Sequence, residues 1–219
     1  MQPESLVLAD HESVSDLHTY LARARTLGEA EARLQAAGDA LAVYVPVLHP
    51  DTLGSDVPTI LGLRIAKLEG HQADGVDAVY PLGALTDRLA RMGGDSVELR
   101  LPPAEAAASW AGVAPPRQGW SRLGEYDDDA LRAVADEGMR AVAAAVPDHS
   151  GKPVVATVRG RIWSSPSGHA DLPAGAAFAA ELLGFLRPGG TSVLFENGRW
   201  RRLSSAGGHV LVRLAARLG

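Results

Sequence analysis

Three short segments of this sequence place an acid close behind a histidine: His49 with Asp51, His71 with Asp74, and His169 with Asp171. A carboxylate at that distance can orient an imidazole for general-base work, or the two can share a metal ion. A turn bonded through the aspartate side chain explains the same spacing without chemistry. His11 lies between Asp10 and Glu12, but neighbouring side chains on an extended chain point apart, so this is not a chelating set. The chain has no cysteine, which excludes disulfides, thiolate metal sites and cysteine nucleophiles. It also lacks the G-x-x-x-x-G-K-[ST] phosphate loop, a G-x-G-x-x-G between strand and helix, H-E-x-x-H and G-x-S-x-G. No catalytic residue is therefore assigned, and no metal or cofactor is expected.

A second set of residues points to binding. Trp110 and Trp120 bracket a loop that contains Pro115-Pro116 and Arg117. Large aromatics held on a stiff loop can form a docking surface, or they can tie the loop down by being buried. Arg199, Arg201 and Arg202 surround Trp200 on an expected hairpin. Such a hairpin could lie on nucleic acid. Against this, no helix-turn-helix pattern precedes it and the formal net charge is −5. The plainer account is an arginine-coated sheet edge that deters aggregation or pairs with acids.

The elements that must position these residues follow from periodicity. Residues 13–37 read as helix, with capping boxes at Ser13–Asp16 and Thr26–Glu29 and apolar positions at Leu17, Tyr20, Leu21 and Ala24. Ala40–Leu48 reads as a buried strand whose Pro46 must sit at an edge or bulge. Thr59–Leu68 is a second strand. Pro81 opens a helix to about Met92, and Ser96–Leu101 alternates as a half-buried strand. A short helix is expected over 104–110. The three carboxylates Asp127–Asp129 start a strong helix to about Val146, which the helix dipole favours. Val154–Trp163 reads as a strand. Pro173–Leu186 is a helix apolar on most of its circumference, so it is either buried or half core and half subunit interface. Asn197-Gly198 joins two strands, 192–196 and 199–204, in a hairpin, and 209–218 fits a strand or a helix.

The fold class expected is α/β or α+β, with a mixed sheet covered by helices. The 219 residues are expected to form one compact unit, the alternatives being a subdivision into 1–147 and 148–219 or two similar α/β halves with a C-terminal β-hairpin. The two-halves alternative rests on an internal likeness between 58–101 and 153–197. Both stretches contain Pro and Arg on an expected strand, a Gly-His segment, a helix and a Gly-Gly pair. Residues 1–150 carry 12 Arg/Lys and 23 Asp/Glu, and residues 151–219 carry 9 and 3, so charge is unevenly spread. There is no basic, apolar leader and no stretch of membrane-spanning length, which sets the expectation of a cytoplasmic protein without membrane contact.

The phrases LAVYVPVLHP, PLGALTDRLAR, SWAGVAPPRQGW and PAGAAFAAELLGFL resemble uncharacterised proteins of high-GC Gram-positive bacteria. The resemblance implies a bacterial, cytoplasmic setting and carries over no functional residue. The reading is a non-catalytic protein that binds a protein partner or itself, as a homo-oligomer, through Trp110, Arg117, Trp120, Arg199, Arg201 and Arg202. The alternatives are a small-molecule or enzymatic site at the His/Asp pairs and, less favoured, nucleic-acid binding.

Overall fold

The computed structural model describes residues 3–28, 31–50, 52, 55–71, 73–147, 149–170 and 172–215. It is a mixed α/β structure with a large antiparallel sheet packed against helices. The chain divides into two compact units, Met1–Pro46 with Leu63–Val113, and Val47–Gly62 with Ala114–Gly219.

The first unit begins with β1 (Ser5–Val7) and α1 (His11–Arg25). The cap of α1 is Asp10, whose carboxylate accepts the Ser13 N–H at 2.7 Å. The helix therefore starts before the expected Ser13 box, and its buried stripe is the expected Leu17, Tyr20, Leu21 and Ala24. Asp16, free of capping, pairs instead with Arg64. The helix does not restart after Gly28, which has φ +81°. Residues 31–37 are the strand β2 (Glu31–Ala37), not helix. Ala32, Leu34 and Ala36 recur with period two as well as fitting a helical stripe. Strand partners on both sides, Ala40–Tyr44 and Asp77–Pro81, decide between the two. A two-residue turn at Gly38-Asp39 (Gly38 φ +62°) leads into β3 (Ala40–Leu48).

Then come β4 (Thr59–Lys67), β5 (Asp77–Pro81), α2 (Leu82–Arg91) and β6 (Glu98–Arg100), which pairs with β1. Pro46 lies on an interior strand, beyond Tyr44 where the β2 register ends. Residues 104–108 are not helical, because Ala106 donates its N–H to the Val79 carbonyl beside β5. Only a 3-10 turn at Ser109–Gly112 follows.

The second unit contains β7 (Ser121–Asp127), α3 (Asp128–Ala145), α4 (Lys152–Trp163), α5 (Ala174–Leu182), β8 (Thr191–Asn197), β9 (Trp200–Ser205) and β10 (Gly208–Arg213). The strand expected over 154–163 is the helix α4. Pro153 fits its first turn, and its buried residues are Gly160 and Trp163. Trp163 stacks on Phe178 of α5, with centroids 4.2 Å apart, and fills the space left by the missing side chain of Gly138. Residues Ala174–Ala180 of α5 are all buried. The apolar circumference of this helix is consumed inside the unit, so it supplies no argument for a subunit interface. The C-terminal part is a three-strand meander, β8-β9-β10, rather than a lone hairpin. The break at 147–153 separates α3 from α4 inside this unit.

The first unit sets β5, β2 and β3 side by side, with β1-β6 as a separate pair, and the second has the order β10-β9-β8-β7. The stretches 58–101 and 153–197 differ in their first element, which is β4 in one and α4 in the other. A closer parallel runs from β1 through α1 to the consecutive strands β2-β3-β4, and from β7 through α3 to β8-β9-β10, the latter with α4 and α5 between.

Candidate functional site

In the second unit, Asn197 faces Trp200, so the turn is Gly198-Arg199, one residue later than the Asn197-Gly198 dipeptide suggests. That shift matters, because register decides which side chains share a face. It sets Phe195 opposite Arg202, and continues the row to Arg122 on β7 and Leu211 on β10. The adjacent row, Leu194, Leu203 and Val210, is buried on the other face.

The loop before β7 brings Trp120 to this row. Trp120 Nε1 donates to the Pro116 carbonyl at 3.0 Å, which closes the loop on itself. Asn197 donates from its side-chain amide to the Gln118 carbonyl at 2.8 Å, which fixes the loop to the hairpin. Gly119, with φ +77°, makes the bend, and a Cβ there would meet that same amide nitrogen at 3.1 Å. The result places Arg202 Cζ 4.7 Å from the Trp120 ring centroid and 4.6 Å from that of Phe195, both within cation–π range.

Among the described residues, Arg202 has no hydrogen-bond acceptor and no counter-charge; its Nε is buried without a partner. Burial alone pushes its pKa below the usual arginine value. The group is still a cation at neutral pH. Its neighbours differ. Arg201 is buried, donates to the Gly198 and Trp200 carbonyls at 3.0 and 3.1 Å, and lies 3.4 Å from Glu196. Arg199 donates twice to the Leu214 carbonyl, and Arg122 pairs with Glu125 at 2.5 Å. These arginines brace the chain, while Arg202 is braced only by rings.

Of the six binding residues nominated from sequence, the structure brings together Trp120 and Arg202. Arg117 is exposed in the loop. Trp110 belongs to the first unit, where it is 7% exposed with its Nε1 buried and unpartnered. Phe195 joins them through the register alone, since a turn at Asn197-Gly198 would set it against Trp200 and not Arg202.

The His/Asp pairs are less organised. His71 Nδ1 lies 3.7 Å from Asp74 on an exposed turn, and Asp74 is engaged in accepting the Gly38 N–H at 2.6 Å. His169 packs against Tyr126, with centroids 4.7 Å apart. His49 Nδ1 is 3.4 Å from the Pro50 carbonyl. Asp51 and Asp171 lie outside the described residues. No cluster of three or more metal-ligating side chains exists among the described residues, and no helix there is long and apolar enough to cross a membrane.

The first unit also holds a cavity of about 720 Å³, lined in part by Glu4, Tyr80, Glu98, Arg100, Pro103 and Glu105. Burial, reinforced by Glu105, raises the Tyr80 phenol above its usual pKa. No residue nominated from sequence lines it.

The fold is similar to that of solved bacterial sliding clamps. A DNA polymerase sliding clamp from Caulobacter crescentus superposes with a TM-score of 0.53 at 11% identity, covering 99% of this chain and 67% of the clamp. The DNA polymerase III subunit beta from Pseudomonas aeruginosa gives 0.51 at 11%, covering 94% and 64%. The sliding clamp from Bartonella birtlesii, bound to griselimycin, gives 0.52 at 11%, covering 98% and 66%. The chain thus spans about two thirds of the length of these clamps, and at such identity the likeness is one of fold. The chain belongs to the family described as Domain of unknown function (DUF8010), which matches residues 1–112, and residues 115–217 match Domain of unknown function (DUF8185). A comparison with curated proteins finds no match.

Proposed function

We propose that this chain is a non-catalytic protein-interaction protein of a bacterial cytoplasm, that it works as a homodimer, and that it docks a protein partner on the β7-β8-β9 face around Arg202. The observation that carries the reading is a half-buried guanidinium which the described residues leave without an acceptor. A buried charge is ordinarily paired. The loop 116–120 is built to keep Trp120 over it, which is a costly arrangement unless something completes it. The fold supports the class of role: the clamps it resembles are described as subunits of a polymerase, proteins that act within an assembly.

The test is a photo-crosslinking amino acid in place of Leu123, which is 41% exposed at the β7 bulge. Introduced into cells that make the protein, it is expected to give discrete protein adducts that disappear with Trp120→Ala. Adducts to nucleic acid alone, or protein adducts indifferent to Trp120, would sink the reading. Sedimentation velocity over a dilution series checks the dimer, and a single monomeric species throughout would remove it.

A further inference from the structure

Resting on that reading, we propose that Arg202 receives a carboxylate from an acidic segment of the partner protein. The guanidinium carries several N–H donors in a planar fork that matches a carboxylate bidentately, and none of its donors is used by the described residues. Rings can hold a cation in place but offer no hydrogen-bond acceptor, so the terminal nitrogens, which unlike Nε are not buried, stay available.

Two features favour a carboxylate over a nucleic-acid backbone. A polyanion is held by neutralising many phosphates at once. Here Arg122, the other arginine of that row, is already opposed by Glu125, so the face offers one open fork, which suits a single carboxylate and not a run of phosphates. The face beside Arg202 is also partly apolar, with the half-buried Phe195 in the same row and Leu123 exposed at the β7 bulge. The occupant that fits is an acidic side chain flanked by apolar residues.

The experiment uses the full chain labelled with 15N and follows the Arg202 Nε–H signal, assigned by its loss in Arg202→Gln. The probe is an acetylated, amidated peptide alternating Glu and Leu, and the control replaces each Glu by Gln. A saturable shift of the Arg202 signal with the Glu peptide, absent with the Gln peptide, is the expected result. Arg202→Lys keeps the charge but loses the fork, and is expected to weaken binding about tenfold. The amide spectrum of each variant reports whether it is folded, and Arg202→Lys, which also lacks the guanidinium Nε–H, serves for the assignment if Arg202→Gln is not.

No shift at millimolar Glu peptide, or an equal shift with the Gln peptide, overturns the carboxylate. A shift that appears on concentrating the protein alone names a second copy as occupant; it overturns the external partner while leaving the interaction reading standing. A response to an oligothymidylate and not to the peptide overturns both.

Discussion

Arg33 in the first unit and Arg202 in the second are both strand arginines, on β2 and β9, and the chain treats them in opposite ways. Arg33 donates from Nε and one terminal nitrogen to the two oxygens of Asp77, at 2.7 and 2.8 Å. Its other terminal nitrogen donates to the Ala111 carbonyl at 3.0 Å. Gln35 adds a bond to the same carboxylate at 2.9 Å. The hydrogen bond to Asp77 raises the pKa of Arg33, whereas burial lowers that of Arg202. Arg33 is a closed unit whose charge-assisted bonds are complete within the chain. Arg202 has the packing of a structural residue without the acceptors of one. A guanidinium left without an acceptor among the described residues, where Arg33 has a full set, is where an external partner has something to contribute.

The sharpest check is whether the second unit tolerates incomplete charges in general, and Asp128 is where to look. It is fully buried at the start of α3. Its carboxylate accepts the Arg187 N–H at 2.7 Å and the Ser192 hydroxyl at 2.5 Å, and Ser192 continues to Ser205 at 2.6 Å. Asp128→Ala strands these donors in the core and is expected to cost about 3 kcal/mol in urea unfolding. A loss below about 1 kcal/mol would show that this unit is lax about buried polar groups, and the contrast drawn from Arg202 would lose its force.

Arg33→Ala comes next. Its side chain is 16% exposed and that of Asp77 is 41% exposed, so solvent screens part of the pair. The expected loss is about 1–2 kcal/mol. A double-mutant cycle with Asp77→Ala should return a coupling of about 1 kcal/mol that shrinks as salt is added. Zero coupling would mean that Arg33 is held by Ala111 alone and is less closed than it looks.

Much of this contrast was hidden in the sequence for physical reasons. Wherever a segment carried one period, it was legible: α1, β3, β4, α3 and the β8–β9 hairpin all follow from spacing and caps. Glu31–Ala37 fits two periods at once, and partners distant in sequence chose between them. Lys152–Trp163 looks like a strand by its valines and isoleucine, yet Trp163 is housed against Gly138 and Phe178, which no local pattern announces. For the candidate site, Trp120 and Arg202 were visible as residue types. Their meeting depends on a turn displaced by one residue and on a loop pinned by Asn197, and Phe195 became visible only through that register. The absence of an acceptor for Arg202 is a fact about tertiary neighbours, and no sequence window contains it.

A smaller effect is expected at Asp10, an exposed acceptor that calibrates the low end of the scale. Its carboxylate bonds the Ser13 N–H, and that bond pulls its pKa below the usual aspartate value. A depressed folded pKa stabilises the protein above the ordinary value of about 3.9 and ceases to do so as pH falls through the folded one. Asp10→Ala should therefore be less stable than the parent at neutral pH, and the gap should close in acid. A gap constant down to acid pH would assign the effect to helix propensity instead of the charged cap.

The smallest change is expected at Arg202 itself, and its smallness is the point. Arg202→Met puts a flexible, polarizable chain against Trp120 and Phe195, in a slot that suits a thioether. The substitution forfeits two cation–π contacts, worth about 0.5–1 kcal/mol each at exposed sites. It also removes a desolvated charge that no acceptor repays, a penalty of comparable size and opposite sign. The two terms should nearly cancel, leaving the unfolding free energy within about 0.5 kcal/mol of the parent, as for an ordinary surface substitution. Arg33→Met, made in parallel, should instead cost what Arg33→Ala costs. If the two methionine variants lose equal stability, Arg202 is a structural cation like Arg33 and its missing acceptor has no functional meaning. If only Arg33→Met is destabilised, the chain maintains Arg202 for something other than its own folding.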